Sequence, residues 1–275
     1  MPELPEVETI RRQLQKEVVG ATILGVDVRF SGRLNVRPAE FVRAAEGAKI
    51  VSAGRRAKLL LIGLSSGWTM VVHLKMTGRF LLSKGPGAPN KHTHLVFRLS
   101  GGRTLMFEDV RKFGYVKLVR TGELEAKVFD KEGYGPEPLD PSFTAERFAM
   151  CVGGRPNKKI KPLLMEQTCI AGIGNIYADE SLWRAGIRPQ RRAGSLTRAE
   201  LRKLYDGVQD SLRGSLAARG TSADTYVDLY GERGTNVAKL KVYGREGEPC
   251  PRCKGPIKKI FFAGRGTHFC PRCQR

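Results

Sequence analysis

Apolar and polar residues alternate at Val26, Val28 and Phe30, and again at Met70, Val72, Leu74 and Met76. That is the period of a strand with one buried face. Leu59 to Leu64 runs apolar, and further strand patterns cover His94 to Leu99, Thr104 to Phe107 and Tyr115 to Val119. Many short strands bounded by glycines predict a sandwich or barrel for the first 120 or so residues rather than a βαβ fold. In front of them, Val7, Ile10, Leu14 and Val18 stand at helical spacing within Pro5 to Val19. Glu6 and Glu8 in the first turn complement the helix dipole, and proline suits the first helical position.

Strand patterning stops at residues 131–142, which hold three prolines and two glycines, and the domain boundary is placed there. Beyond it the chain reads as helical. Thr197-Arg-Ala-Glu forms a capping box, Leu196 and Leu201 sit where a hydrophobic staple would close, and Leu201, Leu204, Tyr205, Val208, Leu212 and Leu216 line one face. Residues 220–240 show no clean period and predict a mobile loop. No internal repeat or low-complexity tract is present.

Charge changes the picture. The 48 Lys and Arg against 27 Asp and Glu give a formal charge of +21, which points to a polyanionic partner, nucleic acid ahead of an anionic membrane. No apolar run reaches the roughly 20 residues of a membrane span, and the first residues lack the regions of a signal peptide. A soluble intracellular, cytoplasmic protein is therefore expected, without a membrane partner. Four of six cysteines form Cys250-x2-Cys253-x16-Cys270-x2-Cys273. Paired C-x2-C knuckles at that separation offer four thiolates to one tetrahedral zinc ion; two disulfides are the alternative in an oxidising compartment. Cys151 and Cys169 lie among apolar residues and are expected as small buried side chains.

Candidate chemistry starts at the first residues, Met-Pro-Glu-Leu-Pro-Glu-Val-Glu. Removal of Met1 would leave Pro2 as a free secondary amine. An α-amino group titrates near about 7.7–8.0, against about 10.4 for lysine, so more of it is nucleophilic at neutral pH. Attack on a sugar C1′ gives an iminium, and a nearby carboxylate such as Glu3 or Glu6 must move protons. Read alone, the decapeptide is more plainly a capped helix start. Gly172-Ile-Gly-Asn175 opens a helix after a basic run and suits phosphate. Met76, Arg111 and Phe113 stand where apolar and basic side chains meet at strand ends, a composition that can wedge into a base stack; ordinary core and solvated surface explain the same pattern. Arg265 lies between two glycines in a segment, 241–275, with nine Lys/Arg against two Glu, which favours a phosphate-facing hairpin.

Together, Pro-Glu-Leu-Pro-Glu-Val-Glu at the start, Gly-Ile-Gly-Asn-Ile-Tyr-Ala-Asp-Glu in the middle and Gly-Arg-Gly-Thr-His-Phe-Cys-Pro-Arg-Cys-Gln at the end closely resemble the bacterial formamidopyrimidine-DNA glycosylases. The resemblance spans essentially the whole chain. It implies a multidomain α+β fold: a catalytic domain over 1–130 with an N-terminal helix on a β-sandwich, and a linker over 131–142. A helix-two-turns-helix domain over 143–240 would follow, with a lesion-covering loop at about 220–240, then a zinc finger over 241–275. It implies a monomeric base-excision-repair enzyme that removes oxidised purines from damaged double-stranded DNA and cuts the strand by β- and δ-elimination. One structural Zn2+ on Cys250, Cys253, Cys270 and Cys273 is implied, and no organic cofactor.

In that resemblance Pro2 is the nucleophile and Glu3 handles protons on the sugar. Lys58 contacts the flanking phosphate and assists β-elimination, while Arg265 clamps phosphate and assists δ-elimination. Met76, Arg111 and Phe113 fill the vacated stack and probe the opposite cytosine. His73, His92, Lys161 and Asn175 are further DNA contacts. At Asn157 family members often carry a basic residue, and Gly231-Glu-Arg-Gly-Thr-Asn-Val replaces a Gly-Tyr-Phe-like segment of the loop over the flipped base. The related endonuclease VIII type, which prefers oxidised pyrimidines, usually starts Pro-Glu-Gly-Pro-Glu, so Leu4 favours the purine enzyme. A non-catalytic zinc-finger DNA binder would not need Pro2, Glu3, Lys58 and Arg265 together. An RNA-binding role would explain the charge but not this N-terminus.

Overall fold

The computed structural model describes residues 1–275. Two compact units emerge, one of residues 1–132 with 219–235, the other of 133–218 with 236–275. The first boundary falls inside the Pro- and Gly-rich stretch, and the chain crosses between the units again at 218/219 and 235/236.

The first unit is an antiparallel β-sandwich with a helix packed on it. β1 (Ile23–Val28), β6 (Thr93–Leu99), β7 (Arg103–Asp109) and β5 (Gly78–Lys84) form one sheet in the order β1-β6-β7-β5. β2 (Ile50–Arg56), β3 (Leu59–Leu64), β4 (Trp68–His73) and β8 (Tyr115–Arg120) form the other, in the order β2-β3-β4-β8. β2, β5 and the short helix α2 (Pro38–Ala45) carry no clean period, so only the fold reveals them. Leu60, Ile62, Met70, Val72, Phe80, Phe97, Leu105 and Phe107 fill the core between the sheets. Each such side chain, fully buried, contributes roughly 1.5–3 kcal/mol of transfer free energy. Helix α1 (Leu4–Glu17) buries Val7, Ile10 and Leu14 on that core. An irregular helical run over 121–132 ends in the single turn α3 (Asp130–Glu132).

The segment 219–235, expected as a loop of the helical domain, groups instead with this unit. Leu229 and Tyr226 enter the sandwich core, and Leu82 N–H donates to Leu229 O at 2.9 Å. Asp228, 1 % exposed, accepts from the Gln13 amide at 2.9 Å and from the backbone N–H groups of Tyr230 and Glu232 at 3.0 Å each. Thr221 and Thr235 bridge to close the segment at its base. The anchors are single side chains held by an internal carboxylate, which leaves no period to read.

The second unit is helical and ends in a cysteine-rich module. α4 (Ala145–Gly153), α5 (Ile160–Met165), α6 (Asn175–Ala185) and α7 (Arg198–Ala217) surround a core of Phe148, Leu163, Tyr177, Leu182, Leu204 and Leu212. The Thr197 capping box is present: Thr197 N–H donates to Glu200 at 2.8 Å, and Glu200 N–H donates to the Thr197 hydroxyl at 3.2 Å. A bond from Arg191 holds the Glu200 carboxyl down at about 2. β9 (Lys258–Phe262) and β10 (Arg265–Phe269) form a hairpin in the terminal module. Of Cys151 and Cys169, expected as small buried side chains, Cys169 is buried and Cys151 half-buried, and the two are joined as a disulfide between α4 and the turn after α5. Their Cα atoms stand 5.7 Å apart, within bridging reach, a proximity that a separation of 18 residues does not announce. No helix is long and apolar enough to cross a membrane.

Candidate active site and nucleic-acid interface

Three acids at the chain start have separate roles. Pro2 is buried. Glu3, 3 % exposed, is the N-cap of α1 and forms a capping box with Glu6, whose Oε2 accepts from Glu3 N–H at 2.8 Å. Oε1 of Glu6 accepts from Thr221 N–H at 2.8 Å, so one buried carboxylate ties the helix start to the 219–235 segment. Below it the Tyr226 phenol donates to Arg219 O at 3.1 Å, and burial raises its pKa above the ordinary range. Glu8 faces Arg11 at 2.6 Å, Arg12 at 2.9 Å and Arg55 at 3.1 Å. Burial pushes that carboxyl up, but bonds from Arg11 and Arg12 outweigh it and hold it low. Glu3 is thus a buried acid next in sequence to Pro2, with its carboxylate capping the helix.

Lys58 lies in the two-residue hairpin between β2 and β3, where Ala57 takes a positive φ of 51° and Arg55 Nη1 donates to Ala57 O at 2.8 Å. His73 pairs with Leu59 across β3 and β4, next to that hairpin. Burial, then the charges of Lys75 and Lys58, lower the His73 pKa to about 3. Its Nδ1 accepts from Lys75 N–H at 3.0 Å, so the neutral ring carries its proton on Nε2 and presents a donor.

Met76, Arg111 and Phe113 come together around a residue that no sequence motif marks. Asp109, fully buried at the end of β7, accepts from Gly114 N–H at 2.6 Å, from Arg111 N–H at 3.2 Å, and from the Thr77 hydroxyl. One carboxylate therefore pins both the 74–78 turn and the 110–114 turn, with Lys112 at φ 56° between them. The Arg111 guanidinium stacks 4.7 Å from the Phe113 ring, which is 45 % exposed. Asp109 N–H donates to His92 O at 3.0 Å, placing His92 on the same edge. Thr225, in the 219–235 segment, donates to Met76 O at 3.5 Å. That segment thus touches both the α1 start and the Met76 turn.

In the second unit Asn175 Nδ2 donates to Gly266 O at 3.0 Å, and Asn157 is exposed. Lys161, expected at the DNA surface, is buried: its Nζ lies 2.7 Å from Asp179 Oδ1 and donates to Thr267 Oγ1 at 2.7 Å and Gly266 O at 3.2 Å. An ammonium without water requires such a partner, and Asp179, also accepting from His268 N–H at 2.8 Å, supplies it. Lys161, Asn175 and Asp179 therefore hold the β9–β10 hairpin. Ala263 and Gly264, both at positive φ, make its two-residue turn, and exposed Arg265 follows immediately. Asp109 and Asp179 announce themselves only as acids inside apolar or basic motifs, a weak cue without burial.

The sulfur atoms of Cys250, Cys253, Cys270 and Cys273 all lie within 4.8 Å of one another, with Cys250 to Cys273 at 3.9 Å and Cys253 to Cys270 at 3.4 Å. A tetrahedral zinc with Zn–S bonds near 2.3 Å needs S···S edges of about 3.8 Å. The donor set fits one structural zinc. Trp183 Nε1 donates to Cys250 Sγ and Cys273 N–H to Cys270 Sγ, at 3.5 and 3.4 Å, the outer bonds that orient thiolate ligands.

Residues 1–116 match the family model described as the formamidopyrimidine-DNA glycosylase N-terminal domain, 134–227 the formamidopyrimidine-DNA glycosylase H2TH domain, and 247–275 the zinc finger found in FPG and IleRS. A formamidopyrimidine-DNA glycosylase of Pelotomaculum thermopropionicum is 46% identical over 100% of this chain and 99% of its own. One of Roseiflexus sp. is 44% identical over the full length of both. The solved complex of Lactococcus lactis Fpg with DNA containing an abasic site superposes with a TM-score of 0.92 at 37% identity, covering 99% of each chain. A Lactococcus lactis FPG mutant with DNA containing Fapy-dG gives 0.93 at 37%, covering 100% of each.

Proposed function

Because the chain belongs to the formamidopyrimidine-DNA glycosylase family and is a DNA glycosylase of base excision repair, we propose that Pro2, once Met1 is removed, is its nucleophile on damaged duplex DNA. The observation that carries this reading is the buried Pro2 followed by a buried Glu3 at the capped start of α1. The Pro2 nitrogen attacks C1′ of the lesion nucleotide, the C1′–N bond to the oxidised purine breaks, and the ring oxygen accepts a proton from Glu3 as the sugar opens to an iminium. Loss of a 2′ proton expels the 3′ phosphate and loss of a further proton expels the 5′ phosphate. Hydrolysis of the imine then frees Pro2.

Lys58 holds the phosphate beside the lesion, and His73 offers a neutral Nε2–H donor. Met76, Arg111 and Phe113 occupy the gap left by the flipped nucleotide, a role suited to a guanidinium stacked on an exposed ring. Arg265 binds phosphate from the hairpin tip, with His92, Asn157 and Asn175 as further contacts. Lys161 acts through the hairpin it supports. Zinc bound to the four cysteines supplies structural cross-linking of the terminal module. The protein acts as a monomer in the bacterial cytoplasm, on 8-oxoguanine and formamidopyrimidines. The 219–235 segment covers the extruded base, with Gly231-Glu-Arg-Gly-Thr where the resemblance leads one to expect a Gly-Tyr-Phe-like segment.

Borohydride trapping on a duplex with one 8-oxoguanine opposite cytosine tests the reading. A covalent adduct on the Pro2 peptide is expected. An adduct elsewhere removes Pro2 from the mechanism, and trapping only on an oxidised pyrimidine duplex moves the enzyme to the endonuclease VIII type.

A further inference from the structure

The Cys151–Cys169 pair has no part in this chemistry or in the zinc module. Cys169 is wholly buried in the helical core, in the turn that runs from α5 to Asn175. Cys151, on α4, is only half-buried. It lines an open cleft of about 410 Å³ together with Arg147, Met150 and Arg155; Cys169 borders the same cleft but has no exposed surface. Arg155 Nη1 stands 3.2 Å from Cys151 Sγ in the bonded pair; once the pair is reduced, a guanidinium in that place favours the thiolate, which is the nucleophilic form. Arg155 is itself placed by Thr168, at 3.5 Å, and by Glu166, at 3.8 Å. The two sulfurs therefore differ in the way a reactive and a resolving thiol differ: Cys151 is partly exposed and beside a guanidinium, whereas Cys169 has no exposed surface.

We propose that Cys151 and Cys169 form a reversible redox-modification site, in which Cys151 exchanges with an anionic low-molecular-weight disulfide admitted by the arginine-lined cleft. The Cys151 thiolate attacks one sulfur of the small disulfide, whose S–S bond breaks and releases one thiolate. Cys169, losing its proton, attacks Cys151 Sγ and expels the second thiolate. The protein loses two electrons and two protons, and the small disulfide gains both as two thiols. The bond ties α4 to a turn already knotted by Gln167, whose amide donates to Met165 O and Ile173 O at 2.9 Å each and accepts from Gly172 N–H at 2.8 Å. Oxidation thus clamps the base of the turn that leads into Asn175 and α6.

The test uses the full-length, zinc-loaded protein with oxidised glutathione as the probe, read by intact and peptide mass analysis and by thermal melting. Wild type should lose two thiols together, keep its zinc, and melt about 5 °C or more above its reduced form. C169S should stop at a glutathione adduct on Cys151, and R155Q should form that adduct several-fold more slowly. C151S should leave Cys169 unmodified while folded. Both thiols remaining free in oxidised glutathione, or an adduct forming first on Cys169, would overturn the proposal.

Discussion

The turn that carries Arg111 and the hairpin that carries Arg265 each present an exposed arginine, and each is held by a buried aspartate, yet they rest on different foundations. Asp109 ends a strand in the middle of a large two-sheet core, so its carboxylate only has to set the last few backbone N–H groups. Asp179 supports a hairpin whose own cluster of buried residues is Trp183, Val242, Cys250, Ile257 and Cys270. A core that small does not offset the entropy of ordering a module of this length, and a metal cross-link is the usual remedy. An exposed side chain held in one orientation needs a rigid base, and what supplies that base depends on how much apolar surface lies beneath it.

The largest effect should come from removing the metal. C250S, or a strong chelator, deprives the terminal module of a binding energy of order 10 kcal/mol. The module should unfold and lesion-DNA binding should collapse, while the sandwich keeps its melting transition in calorimetry. Normal DNA binding by C250S would show that the metal does not hold the module in its working form.

Next is D179N, which leaves the Lys161 ammonium buried without its counter-charge. A loss of roughly 3–5 kcal/mol is expected in urea unfolding of the zinc-loaded protein, and K161M added to it should recover part of that loss. Equal stability of the single and double variants would show that the pair is not coupled.

A smaller loss is expected from D109N. The amide can still accept one N–H but not the full set made to Gly114, Arg111 and Thr77, a change of about 1.5–3 kcal/mol. Lesion-DNA affinity should fall about tenfold as the Arg111 turn loosens, the equivalent of about 1.4 kcal/mol, with zinc content unchanged.

The smallest effect is a pH dependence confined to the first unit. The His73 pKa in the fold, about 3, lies below its ordinary 6.5. The unfolded chain therefore takes up the proton first as pH falls, and the neutral ring's contribution, full above 6.5, is lost progressively toward 3. Allowing for its partial exposure, this amounts to about 1–2 kcal/mol by pH 4.5. H73N keeps a side-chain acceptor for Lys75 N–H and does not titrate. The stability difference between wild type and H73N should stay flat above pH 7 and drift against wild type below 6.5.

Periodic segments are legible in the sequence. α1, β4, β6 and the capped α7 follow from spacing, because a repeating apolar face is written into consecutive residues, and β3 follows from its unbroken apolar run. β2 and β5 are not, since their burial is set by neighbours that the sequence does not place beside them. The zinc ligands are legible because both knuckles are local, whereas the Cys151–Cys169 pairing is not, because α4 and the turn after α5 meet only when the helices pack.

Residue order is enough to set the chemistry on offer: a proline followed by glutamate at the start, a lysine in a tight hairpin, an arginine between glycines, four metal-binding thiols and a strong excess of basic residues. Packing selects which charges stay exposed and which are consumed in support. Lys161 falls in a basic, Gly-rich stretch that reads as a phosphate site, yet its ammonium is buried on Asp179 and bonds the hairpin through Gly266 and Thr267. Asp109 and Asp179 look like ordinary acids, yet each fixes a turn, and Glu6, a candidate proton carrier by sequence, ties the helix start to Thr221. Local pattern reports a residue's type and periodicity, while its role depends on burial, and burial is a property of distant residues brought together.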